Sequence, residues 1–175
     1  MSFYQVPEYI FNPIGTRKIV HGSVLLPTDF QKDLSNQLTN FGIKDIENAQ
    51  HESDLVDLNW WTQRKDKFDW MVLIAQGLGE TSEWILDYGP HCVKTGICVL
   101  DRITFLEPTK RREKFLKNHD LTNLIILSPR PQFRADGKTQ KDSVTSAWFV
   151  FQPKGSATGY TKVEFEVGWQ RPSLV

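Results

Sequence analysis

Short blocks of consecutive apolar residues alternate along the chain with segments whose apolar positions recur every three or four residues. Gly22-Ser23-Val24-Leu25-Leu26-Pro27 predicts a buried strand that Pro27 ends. Behind it, Thr28 or Asp29 caps a helix over 30–38, with Phe30, Leu34, Leu38 and Phe41 on one face and Gly42 as its stop. A second strand is expected over 43–46 and a third within 54–61. Phe68-Asp69-Trp70-Met71-Val72-Leu73-Ile74 predicts a fourth strand, followed by a helix over 80–88 that Gly77 and Gly79 introduce and Gly89-Pro90 ends. A fifth strand over 96–105, a short basic helix over 110–117, and strands over 121–128, 146–152 and 162–169 complete the pattern.

Strands parted by helices early and a pair of strands late predict an α/β fold with a mostly parallel sheet and an antiparallel edge, built as a single domain over 1–175. The segments 24–26, 68–74, 97–105 and 124–127 are apolar on both faces, which predicts adjacent parallel strands. Residues 129–141 join two strands without apolar periodicity, and a connection that long is expected to be functional or disordered.

Composition narrows the function. Lys plus Arg and Asp plus Glu number 21 each, so the chain is not a bulk polyanion binder and any nucleic-acid contact must come from a local basic patch. Eleven Phe and six Trp supply large buried area to a chain whose apolar fraction is 39%. No apolar run reaches the ~20 residues of a membrane span, and the first residues lack the basic and apolar regions of a secretory signal. Cys92 and Cys98 have no cluster of His or Cys around them, so no metal site is expected and a reduced, cytoplasmic setting is. His21, His51, His91 and His119 share no metal-like spacing. Glu164-Phe165-Glu166 predicts a strand with its acids on the solvent face, and Trp60-Trp61 predicts an anchor at a sheet edge or a partner surface.

Three stretches carry a resemblance: Leu106-Glu107-Pro108-Thr109-Lys110-Arg111-Arg112-Glu113-Lys114-Phe115, Leu127-Ser128-Pro129-Arg130-Pro131-Gln132-Phe133-Arg134, and Asp142-Ser143-Val144-Thr145-Ser146-Ala147-Trp148-Phe149-Val150. Together they resemble the C-terminal half of phage- and plasmid-type N6-adenine DNA methyltransferases. The likeness is strongest from 68 to 151, and it implies a Rossmann-like class I methyltransferase sheet. In that family the first strand opens into a Glu-Pro-x-x-Gly-x-Gly loop for S-adenosylmethionine. Here no glycine lies between Ser23 and Gly42. The family's fourth strand leads into Asn-Pro-Pro-Phe, which holds the flipped adenine. Here Phe68-Asp69-Trp70-Met71-Val72 continues as Leu73-Ile74-Ala75-Gln76-Gly77.

The resemblance therefore implies a degenerate, catalytically inactive member with no catalytic residues and no cofactor. It would act by binding DNA or a protein partner, in the manner of a phage or mobile-element accessory. In the alternative, an active S-adenosylmethionine-dependent adenine methyltransferase completed by a partner chain, Asp45, Glu47 and Asp57 would meet the cofactor. The residues that would contact DNA are Lys110, Arg111 and Arg112 on the basic helix, then Arg130, Phe133, Arg134, Lys138 and Lys141 in the long connection.

Overall fold

A computed structural model describes residues 5–75, 77–107, 109–133, 145–156 and 159–172, and only the backbone of Lys110 and Arg111. Its centre is a seven-stranded sheet in the order β2-β1-β3-β4-β6-β5-β7. The strands are β1 Val24–Leu26, β2 Ile46–Asn48, β3 Phe68–Ile74, β4 Val93–Arg102, β5 His119–Ser128, β6 Ser146–Pro153 and β7 Lys162–Val167. All neighbouring pairs are parallel except β4–β6 and β6–β5. The sheet is thus mostly parallel, with its antiparallel strand toward one side, and the fold is α/β.

Helices α1 Asn12–Thr16 and α2 Asp33–Asn40 cover one face. Ile10, Phe11, Ile14, Leu34 and Leu38 pack there on Val24, Leu26, Trp70, Val72 and Trp148. Helices α3 Leu58–Thr62, α4 Glu80–Tyr88 and α5 Lys110–Asn118 cover the other. Trp61, Ile85, Phe105 and Phe115 pack there on Leu25, Met71, Leu73, Phe149 and Phe151. Successive residues of each strand feed alternate layers, so a strand apolar throughout is one buried on both faces.

Several sequence expectations are corrected. Residues 54–61 are no strand but a 3-10 turn over Glu52–Val56 followed by α3. Polar side chains decide this locally. The Asp54 carboxylate accepts the Gln50 and His51 N–H groups, and Asp57 caps α3 by accepting from Asn59 N at 2.9 Å. The fifth strand stops at Arg102, and Ile103–Leu106 turns as a 3-10 helix.

The third correction concerns neighbours. β5 is not adjacent to β4, because β6 lies between them, antiparallel to both. Ala147, Trp148, Phe149, Val150 and Phe151 are at most 1% exposed. A strand with no face for water needs a neighbour on each side and a layer on each face, whereas β5 buries little before Leu124. β2 is also shorter and later than the 43–46 expected, and α1 was not anticipated at all.

Candidate functional site

β1 leads through α2 outward to β2, and the chain then crosses back to β3 on the other side of β1. The carboxyl ends of β1 and β3 therefore flank the topological switch point, where open α/β sheets bind their ligands. The chain leaves β1 through Pro27 and Thr28 to Asp29, which is 4% exposed. The Asp29 carboxylate accepts the N–H groups of Leu34 at 3.0 Å and Ser35 at 2.6 Å, so it caps α2 from four residues before the helix begins. Burial raises its pKa, and the two N–H bonds offset part of that rise. Asn48, the last residue of β2, donates its amide to the Asp29 carbonyl at 3.1 Å and to its carboxylate at 3.2 Å, and also meets Ser35 Oγ. The polar groups at this corner are bound to one another.

The neighbouring corner is similarly committed. At the end of β4 burial raises the Asp101 pKa, offset in part by the Arg102 N–H at 2.7 Å. Arg112 donates to the Phe105 carbonyl at 3.1 Å, meets Glu83 of α4 at 3.4 Å, and lays its guanidinium over the Phe105 ring at 4.6 Å. It binds α5 to α4 instead of facing outward. Phe133 is 3% exposed and sits in the core beside Trp169 and Leu127, so the expectation that its ring offers a stacking face is corrected. Arg130 is exposed just past β5. Lys110 and Arg111 open α5, which puts them near the same carboxyl edge as Arg130. Arg134, Lys138 and Lys141 lie outside the described residues, as does Gln76.

The three acids of the alternative reading do not converge. Asp45 precedes β2 at the amino edge of the sheet, where its carbonyl accepts the Val24 N–H. Glu47 pairs with Arg64 at 2.6 Å, and Asp57 is the cap of α3. Trp60 and Trp61 are 8% and 2% exposed and meet edge-to-face at 4.7 Å, with Arg64 stacked over Trp60, so the pair builds core and offers no partner surface. No group of three or more His, Cys, Asp or Glu able to hold a metal occurs among the described residues.

A cavity that no sequence pattern marks lies at the opposite edge. It measures about 660 Å³ and is walled by Val20, Phe41 and Ile43, with Lys18, His21, Lys44, Asp45 and Asp69 as its polar lining. Lys18 and Lys44 make no ion pair among the described residues. Gly22 turns there at φ +75°, and a Cβ on it would run into the Asp69 carboxylate, which Ser23 N–H binds at 2.9 Å. That N–H bond chiefly holds the Asp69 pKa below the usual carboxylate value. Three separate segments, 15–23, 41–45 and Asp69, meet at this lining, and no local motif marks their meeting.

No protein-family model matches the chain, and no curated protein does. Among solved structures it is similar to a candidate class I S-adenosylmethionine-dependent methyltransferase from Listeria monocytogenes, at TM-score 0.63 and 14% identity, over 98% of this chain and 69% of that one. Looser likenesses are to a protein described under the conversion of a disulfide bond into a thioacetal group during echinomycin biosynthesis (TM-score 0.47, 14% identity, 85% of this chain and 83% of that one) and to a candidate O-methyltransferase from Agrobacterium tumefaciens (TM-score 0.46, 9% identity, 82% and 66%). The chain has the Rossmann-like fold of class I methyltransferases.

That fold implies S-adenosylmethionine at the switch point, and the described residues at the ends of β1 and β2 do not fit it. The N–H groups opening α2, which would receive an anionic cofactor group, are taken by Asp29. The end of β2 carries Asn48, turned inward onto Asp29, where a carboxylate would hold the ribose.

Proposed function

We propose that this chain is a methyltransferase-fold protein that transfers no methyl group and acts by binding a protein partner, as an accessory of a phage or mobile element. Its later half resembles the N6-adenine type, which supplies the context for that role. The observation that carries the reading is Asp29: the turn from β1 into α2 has no glycine and spends its buried carboxylate on the helix that would otherwise meet a cofactor. Calorimetry with S-adenosylmethionine tests it. No heat is expected, and micromolar binding or methylation of adenine-containing duplex overturns it.

A protein partner is favoured over DNA because Arg112 and Phe133, two of the expected DNA contacts, are built into the fold. The DNA reading keeps one support, the gathering of Lys110, Arg111 and Arg130 toward the carboxyl edge. If it holds, the Arg130→Ala/Arg134→Ala variant flattens the slope of log affinity against log salt by roughly 2 on duplex DNA. Absence of duplex binding at low salt discards it.

A further inference from the structure

β7 ends the sheet and pairs only with β5, so its outer row of backbone N–H and C=O groups faces no strand among the described residues. Soluble proteins usually guard such an edge with lysine, proline or a bulge. Here the guard is reversed. Leu124 and Ile126 stand in register with Val163 and Phe165, which places the apolar side chains of β7 on the face of α4 and α5. No helix among the described residues reaches that far along the sheet, and Val163, Phe165 and Val167 are 53%, 70% and 78% exposed. The acids lie on the opposite face, where Arg17 binds Glu164 at 3.1 Å and Glu166 at 2.7 Å. The expectation that the acids mark the solvent side is thereby corrected.

The strand reads Val163-Glu164-Phe165-Glu166-Val167, the same in both directions. A palindrome has no use in pairing with an unrelated strand, but it is what a strand needs to pair antiparallel with itself. We propose that β7 pairs with β7 of a second copy across a two-fold axis at Phe165, joining two sheets into one. Phe165 then faces Phe165 of the second copy and Val163 faces Val167, so every apolar residue of the strand gains an apolar neighbour across the axis. Glu164 meets Glu166, a repulsive pair in isolation. Within each copy, however, Arg17 bridges both carboxylates and Lys162 lies 3.5 Å from Glu164, so the two acids arrive already matched by two cations. The pairing is independent of whether the chain transfers methyl groups.

Sedimentation of the purified chain across a hundredfold range of concentration is expected to show a monomer–dimer equilibrium. Val163→Lys/Val167→Lys, which sets lysine against lysine in this register, should leave monomer at every concentration with the circular dichroism unchanged. Register is read by cross-linking, since facing residues lie about 4.5–5.5 Å apart between Cα atoms, within disulfide reach. Phe165→Cys should form a covalent dimer on mild oxidation, Val163→Cys alone should not, and Val163→Cys/Val167→Cys should, while keeping Phe165. Cys92 and Cys98 are wholly buried and do not compete. The proposal is overturned by a monomer throughout, by a dimer that survives the double lysine variant, or by cross-linking of Val163→Cys as complete as that of the double cysteine variant.

Discussion

The two edges of the sheet treat their polar groups in opposite ways. At the carboxyl edge Asp29, Ser35 and Asn48 close on one another, and Glu83 closes on Arg112. At the amino edge Lys18 and Lys44 line a cavity of about 660 Å³ with no ion pair among the described residues. Two aspartates show the contrast most directly. Burial raises the pKa of Asp29, whereas the Ser23 N–H lowers that of Asp69. In this fold the carboxyl edge is the ligand edge. Here its described polar groups Asp29, Asn48 and Arg112 bind within the fold, and lysines with no ion pair among the described residues line the other end of the strands.

If the carboxyl edge is structural, breaking its central carboxylate should cost the most. Asp29→Ala removes the cap of α2 and strands the buried Leu34 N–H and the part-buried Ser35 N–H, a loss of about 2–3 kcal/mol in urea unfolding. Asp29→Asn keeps an acceptor and should cost less than about 1 kcal/mol. An alanine variant as stable as the wild type would erase the comparison.

Arg112→Met comes next. It deletes the bonds to Phe105 O and Glu83 and the contact over the Phe105 ring, and should lower stability by about 1–2 kcal/mol. For a chain of this size the melting temperature falls by about 2–4 °C per kcal/mol. Duplex affinity, if any exists, should not change. A variant that keeps its melting temperature but loses nucleic-acid binding would restore Arg112 to the surface.

At the amino edge Lys18 holds φ +54°, a left-handed conformation that costs a non-glycine residue about 1 kcal/mol. Lys18→Gly should therefore stabilise the protein by about 0.5–1 kcal/mol, and a destabilised variant would show that the lysine side chain does contribute there.

The smallest effect concerns pH. The depressed pKa of Asp69 means stability that is present above the usual carboxylate value and is lost as pH falls through the lowered one. The raised pKa of Asp29 acts the other way, contributing most below the usual value and fading as pH rises through the raised one. Urea melts between neutral pH and about pH 3 should show Asp69→Asn losing less stability in acid than the wild type, and Asp29→Asn losing more. Parallel curves for the two variants would remove the electrostatic side of the contrast.

The local pattern by itself determined most of the elements. The apolar runs within β1, β3 and β6, the stop of α2 at Gly42 and the absence of a glycine turn after β1 follow from periodicity and backbone sterics, which act over a few residues. Only the tertiary structure decided the rest. Periodicity reports that a side chain is buried but not against what, so Phe133 reads equally well as a stacking ring and as core. It reports charge but not its partner, so Arg112 reads as surface until Glu83 and Phe105 come from elsewhere in the chain. It also reports that β7 alternates but not which of its faces meets Arg17, because that face is chosen by an arginine some 147 residues away in sequence.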